Sequence, residues 1–141
     1  MKLSRTSSYA LQAIFQLAQS DASGSPIPCS RLAAEGKMPE RFLLQILRSL
    51  VTHGILGSTR GVQGGYVLER KPEDVSLLDV IEAVDGPVVP ALPIREGLCD
   101  EANSKLECTL AGVAALVRRE LDAVKLAHLL PAGSRRELAA G

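Results

Sequence analysis

RGVQGGYVLER, residues 60–70, places Gly61, Gly64 and Gly65 within five positions and then runs straight into a strand-like pattern. A phosphate-binding loop needs a different order, because the phosphate sits on the free N–H groups of a helix that follows the glycines. Here Tyr66, Val67, Leu68 and Glu69 follow, and no Lys-Ser or Lys-Thr pair comes after them to hold a nucleotide and its magnesium. The segment before the glycines, Ile55 to Thr59, is also extended in character. The stretch therefore reads as a β-hairpin in which the glycines supply the tight connection. Arg60 and Gln63 stand near its tip.

What the hairpin touches depends on what precedes it. Ser4 can cap a first helix in which Ala10, Leu11, Ile14, Leu17 and Ala18 recur at helical spacing, and the run SDASGSP ends it. SRLAAEG is a short second helix, and Lys37 and Met38 connect it to a third that opens at Pro39. Phe42, Leu43, Ile46, Leu47, Leu50 and Val51 form a wide apolar stripe on this third helix, up to the stop signal His53-Gly54. Glu40, Arg41, Gln45, Arg48 and Ser49 are left for solvent.

Helix, short helix, amphipathic helix and hairpin follow one another as in a winged helix-turn-helix. A helix about 10–12 Å across fits a major groove about 12 Å wide, and the hairpin reaches the neighbouring backbone or minor groove. The expected DNA-facing residues are Arg41, Leu44, Gln45 and Arg48 on the helix, with Arg60, Gln63 and Gly64 on the hairpin. Leu44, on the flank, either meets a thymine methyl or widens the core stripe.

Beyond the hairpin, Ser76 and Asp79 form a capping box with a Val75/Val80 staple, opening a fourth helix with Leu77, Val80, Ile81 and Val84 inward. Gly86-Pro87 ends it. A Pro-rich connector, Pro87 to Pro93, leads into GLCDEANSKLEC, where Ser104 and Glu107 can cap a last long helix. Leu106, Leu110, Val113, Val117, Leu121 and Val124 then advance by about 3.6 residues on average. A wing domain alone cannot cover so long a stripe. It is expected to pack on the same helix of a second subunit, giving the two-fold symmetry that a palindromic duplex operator requires. The expected architecture is mainly α with a small β-hairpin wing: a DNA-binding domain over 1–86, a connector and cysteine-bearing sensor loop over 87–103, a dimerisation helix over 104–130 and a flexible tail over 131–141.

Composition bounds the function. The 141 residues carry no net charge, but residues 1–70 hold eight Lys or Arg against four Asp or Glu, and residues 71–141 hold eight against twelve. This +4/−4 split is expected if one half meets a polyanion. Two Phe and two Tyr are too few for a base-stacking single-strand binder. Three cysteines without a CxxC argue against a secreted disulfide scaffold. No apolar run approaches membrane-spanning length and no signal peptide opens the chain, so the cytoplasm is expected, with no membrane partner. No Ser/His/Asp or paired-carboxylate arrangement can be placed on a common surface, so no enzyme is read.

MKLSRTSSYAL at the start, RFLLQILRSLVTHGIL, the wing RGVQGGYVLERKPEDVSLLDVIEAVDGP and a cysteine ahead of a long final helix together resemble the IscR/NsrR/CymR family of bacterial winged helix-turn-helix regulators. The likeness runs to about His128. It implies a homodimeric transcription factor, several relatives of which sense iron–sulfur status, nitric oxide or redox state. Arg41, Leu44, Gln45 and Arg60 match positions that contact DNA. At Leu44 the iron–sulfur-cluster regulator carries an acidic residue, so operator preference does not carry over. The wing glycines are then expected to let the hairpin approach DNA closely.

The resemblance also points to Cys99 and Cys108 as sensor residues, and as metal ligands where a cluster is bound. Cluster-binding relatives usually have three cysteines in this region; two-cysteine relatives add acidic or histidine ligands from the first helix. The matching positions here are Ser8 and Gln12, neither a good iron ligand, which argues against a stable iron–sulfur cluster. Two other readings stand beside the cluster. Cys99 in an exposed loop and Cys108 in a helix's first turn, where the macrodipole favours thiolate, could form a reversible disulfide, or both could be inert. Cys29 reads as a small buried apolar residue. The function expected is a sequence-specific regulator, acting as a repressor. The alternative is a winged-helix protein-interaction module without specific DNA binding.

Overall fold

The computed structural model describes residues 2–20, 24–90 and 96–131. Six helices and one hairpin follow in the order α1 (Arg5–Ser20), α2 (Cys29–Gly36), α3 (Glu40–Thr52), β1 (Leu56–Thr59), β2 (Gly65–Leu68), α4 (Leu77–Asp85), α5 (Asp100–Ala123) and α6 (Leu126–Leu129). Ser4 caps α1 by accepting the Ser7 N–H at 2.9 Å. Lys37 breaks α2 from α3 by adopting a left-handed conformation, φ 54°, which closes the helix with backbone bonds to Ala33 and Ala34. Pro39 then sits at the N-cap of α3, where its missing N–H costs no intrahelical bond.

One core joins the helices to the hairpin. Ile14 of α1, Leu32 of α2, Leu43, Leu47 and Leu50 of α3, Ile55 and Leu56 at the first strand, and Val75 and Val80 around the start of α4 are all at most 1% exposed. Phe42 and Val51, at the edges of the α3 stripe, are half-buried. Ser49, expected in solvent, is half-buried too, its hydroxyl bonded back to the Gln45 carbonyl. The Ser76/Asp79 capping box forms as expected, with both bonds at 3.0 Å. On α4 the buried face is wider than expected: Val80 and Ile81 are buried as expected, Leu78 and Ala83 to either side of them are buried too, and Leu77 and Val84 are half-buried.

The last third departs further from expectation. α5 begins at Asp100, ahead of Ser104, with Cys99 at its N-cap. It ends at Ala123 instead of running on to residue 130. Val124 is extended, and the chain folds back onto the body: the Val124 carbonyl accepts from Leu77 N–H and the Val75 carbonyl from Leu126 N–H, both at 2.9 Å. Leu126, Ala127 and Leu130 are thereby buried. That burial gives the physical reason for the break, since a continuous helix would carry these apolar groups into water. The expected connector runs into residues outside the described set at 91–95, and the expected tail is outside it from 132 onward.

Candidate nucleic-acid interface

The two faces of α3 are set by its core contacts. Leu43, Ile46, Leu47 and Leu50 are buried, and Phe42 meets Tyr9 of α1 edge-on with ring centroids 5.8 Å apart. Arg41, Gln45 and Arg48, spaced by four and three residues, are exposed on the opposite face. Leu44 lies half-buried between the two faces, so it widens the core stripe while keeping an outer edge in water.

The wing pairs Leu56 with Leu68 and Thr59 with Gly65 in an antiparallel ladder. A third segment, absent from the expected wing, joins it: Ile27 and Tyr66 exchange two backbone bonds at 3.0 and 2.8 Å, although prolines flank Ile27. This pairing ties the wing to the start of α2 and explains Gly65, while the hairpin's own turn explains Gly64. A Cβ on Gly65 would lie 2.4 Å from the Ile27 carbonyl carbon, and one on Gly64 would lie 2.2 Å from the Thr59 oxygen. Both steric requirements are internal to the fold, whereas the sequence leads to the expectation of glycines that let the hairpin approach DNA. Gly61, at φ +116° with open space around its Cα, supplies the turn. Arg60 and Gln63 are exposed as expected, and Val62 between them is fully exposed, a wing-tip apolar group that sequence reasoning missed.

Between α3 and the wing runs an open groove of about 640 Å³ whose lining includes Arg48, Thr52, Ser58, Thr59 and Arg60 along its rim, with Cys29 and Tyr66. Arg48 and Arg60 thus face one concavity from two elements, an arrangement suited to a polyanion backbone. Cys29 is half-buried, its thiol directed at the Glu40 carbonyl 3.7 Å away. Burial, with Glu40 adding to it, pushes this thiol up from its ordinary value. Burial also pushes the Tyr66 hydroxyl up, with Cys29 adding and Arg48 opposing.

The Rrf2 family, described as iron-dependent transcriptional regulators, matches residues 3–132. The chain belongs to the Rrf2 family. An rrf2-like HTH-type regulator from Rhodobacter capsulatus is 32% identical over 135 residues, covering 89% of this chain and 90% of that one. The HTH-type regulator CymR of Bacillus subtilis is 31% identical over 92% of this chain and 89% of its own length. The solved structure of B. subtilis CymR, titled the global cysteine regulator, superposes with a TM-score of 0.71 at 26% identity, covering 92% of this chain and 95% of that one. This Rrf2 protein is a winged helix-turn-helix, DNA-binding transcriptional regulator.

The family's description implies iron, and the residues of this Rrf2 chain can be tested for it. Among the described residues no three His, Cys, Asp or Glu side chains converge on a point. Cys99 and Cys108 are both exposed, but as N-cap and ninth residue of α5 they stand about 13 Å apart along the helix axis and on opposite sides of it. Ser8 is exposed on α1, and the Gln12 amide donates to the Gly36 carbonyl at 2.9 Å. Within one chain these residues do not fit a cluster. A disulfide between Cys99 and Cys108, one of the readings open to the pair, needs Cα atoms within about 7 Å, and two turns of α5 would have to unwind to allow it. Cys108, beyond the first turn, is out of reach of the helix N-terminus that was to activate it.

The expected dimer stripe divides in two. Leu110, Val117 and Leu121 are half-buried, and Val124 has left the helix. Val113 and Leu106 are exposed, together with Leu116, which lay outside the expected stripe.

Proposed function

We propose that the protein represses transcription as a homodimer on an inverted-repeat duplex, with α3 in the major groove and the wing tip on the adjacent minor groove or backbone. The observation that carries this is the exposure of Arg41, Gln45 and Arg48 on the outer face of α3 and of Arg60, Val62 and Gln63 at the wing tip, with Arg48 and Arg60 lining one groove between the two elements. Arg41 and Gln45 have the forked and amide groups that read guanine and adenine edges. Arg48 neutralises phosphate, Arg60 reaches from the wing tip into the minor groove, and Gly64 shapes the wing. The dimer forms through α5, with Leu106, Leu110, Val113, Leu116, Val117 and Leu121 as its apolar seam. Val124 borders the seam where α5 ends. Sensing falls to Cys99 and Cys108 as two separate exposed thiols.

Selection of duplexes from random-sequence DNA tests this. The expected result is an enriched inverted repeat bound by two chains. No enriched duplex with reduced protein would favour the interaction-module alternative. Sedimentation of a micromolar monomer would overturn the dimer. Equal affinity in reduced and oxidised protein, unchanged by Cys99→Ser with Cys108→Ser, would remove the thiols from the proposal.

A further inference from the structure

The long helix α5 is held to the DNA-reading body at its C-terminal end by the backbone bonds of Val124 and Leu126. A second hold lies partway along it. Glu82 of α4, its side chain 23% exposed, accepts on one oxygen from the Arg118 guanidinium of α5 and from the Val88 N–H, the latter at 2.8 Å. Three segments meet there: α4, the start of the connector and α5. α4 is itself fixed to α1 next door, where the Asp85 carboxylate accepts from the hydroxyls of Ser4 and Ser7.

The lengths make this junction a lever. Arg118 lies about 9 Å along the axis from Val124, and Asp100 about 27 Å beyond Arg118. A shift of about 1 Å at Arg118 therefore swings the far end of α5 by about 4 Å when the C-terminal end stays fixed. The hold is charge-assisted and partly withdrawn from water, so it is stiffer than an exposed surface pair.

We propose that Glu82 is a positioning residue for operator recognition: its pair with Arg118 sets the angle of α5 to the reading body, and so the separation at which two subunits present α3. This rests on the homodimer proposed above. The same oxygen also holds Val88 at the start of the connector. Glu82→Gln keeps an acceptor for Val88 while removing the charge that holds Arg118.

The test uses the inverted repeat obtained by selection, with its central spacer at the selected length and one or two base pairs longer or shorter. Each added base pair turns one half-site by about 35° relative to the other. The wild-type dimer is expected to lose at least about tenfold in affinity for a one-pair change. Glu82→Gln, still dimeric by sedimentation and melting close to wild type, is expected to lose less than about threefold over the same change. Arg118→Gln should give the same flattened profile, and the double variant no more than either single, because all three break one contact. Should Glu82→Gln fail to fold, Arg118→Gln, on the more exposed side of the pair, decides alone. Folded, dimeric variants with the wild-type spacing profile overturn this proposal and leave the homodimer standing. A wild-type dimer indifferent to spacing also overturns it, and a monomeric wild type overturns both.

Discussion

α3 in the winged body and the long helix α5 put similar numbers of large apolar side chains to opposite uses. The 13 residues of α3 bury Leu43, Ile46, Leu47 and Leu50 within their own chain, whereas the 24 residues of α5 bury none. Val113 and Leu116 are about half exposed, at 51% and 52%. The body satisfies itself, and its outer surface is left to polar groups that can meet DNA. α5 is held at its C-terminal end and at Arg118, and leaves Leu106, Val113 and Leu116 exposed. What this teaches is a division of labour: the body is closed on itself and carries the DNA-reading face, and the arm is the part left with apolar surface for the proposed dimer.

The largest expected effect would break that contrast at the arm. Val113→Asp with Leu116→Asp removes four side chains per dimer, each worth about 1.5–3 kcal/mol when buried. Sedimentation should show a monomer with unchanged helical content and no measurable operator binding; a persistent dimer would mean that the partner surface lies elsewhere. The matching change in the body is Leu47→Ala, at a side chain 0% exposed. It should lower unfolding free energy by about 2–5 kcal/mol in chemical denaturation. A loss well under 1 kcal/mol would mean that the body is not the folding unit.

Smaller effects sharpen the comparison. Gln45→Ala and Arg60→Ala should each weaken operator binding by about 1–3 kcal/mol if they read bases, with melting and dimerisation intact. For Arg60 a loss uniform across sequences, with a shallower salt dependence, would mark a phosphate contact instead. Ser76→Ala removes the bond that Ser76 Oγ accepts from the Asp79 N–H, one of the two in the α4 capping box, and should cost about 1 kcal/mol of stability. Because α4 carries Glu82, this variant also shows whether loosening the start of α4 reaches the arm. Last, iodoacetamide at neutral pH should label the arm cysteines Cys99 and Cys108 before Cys29 of the body. Burial raises the Cys29 pKa, so its thiolate is scarce at neutral pH and its labelling should climb as pH rises. Labelling of Cys29 as fast as the others at neutral pH would show that its groove opens readily.

Much of this molecule is local, and what is local could be read from the residues. Leu43, Ile46, Leu47 and Leu50 recur at helical period, Ser76 and Asp79 cap across one turn, and Gly61 to Gly65 interrupt two short strands; each depends on neighbours within a few positions. The same periodicity placed Arg41, Gln45 and Arg48 on the outer face, because defining the buried stripe defines its opposite. The tertiary structure alone decided the contacts between residues far apart in sequence. Ile27 pairs with Tyr66 across 39 positions despite its flanking prolines, and this, not DNA, is what leaves no room for a side chain at Gly65. Val124 to Leu130 fold back onto residues 72–77, which ends α5 where its apolar period would have continued. Cys99 and Cys108 fall on one rigid helix because Asp100 and Glu101 give a first turn that favours the helix dipole before Ser104 is reached, a choice between two adequate starts. The reason is the same in each case. Sequence period fixes which side of an element is apolar, but which surface covers it, and where the chain must turn to allow that, is settled by burial summed over the whole fold.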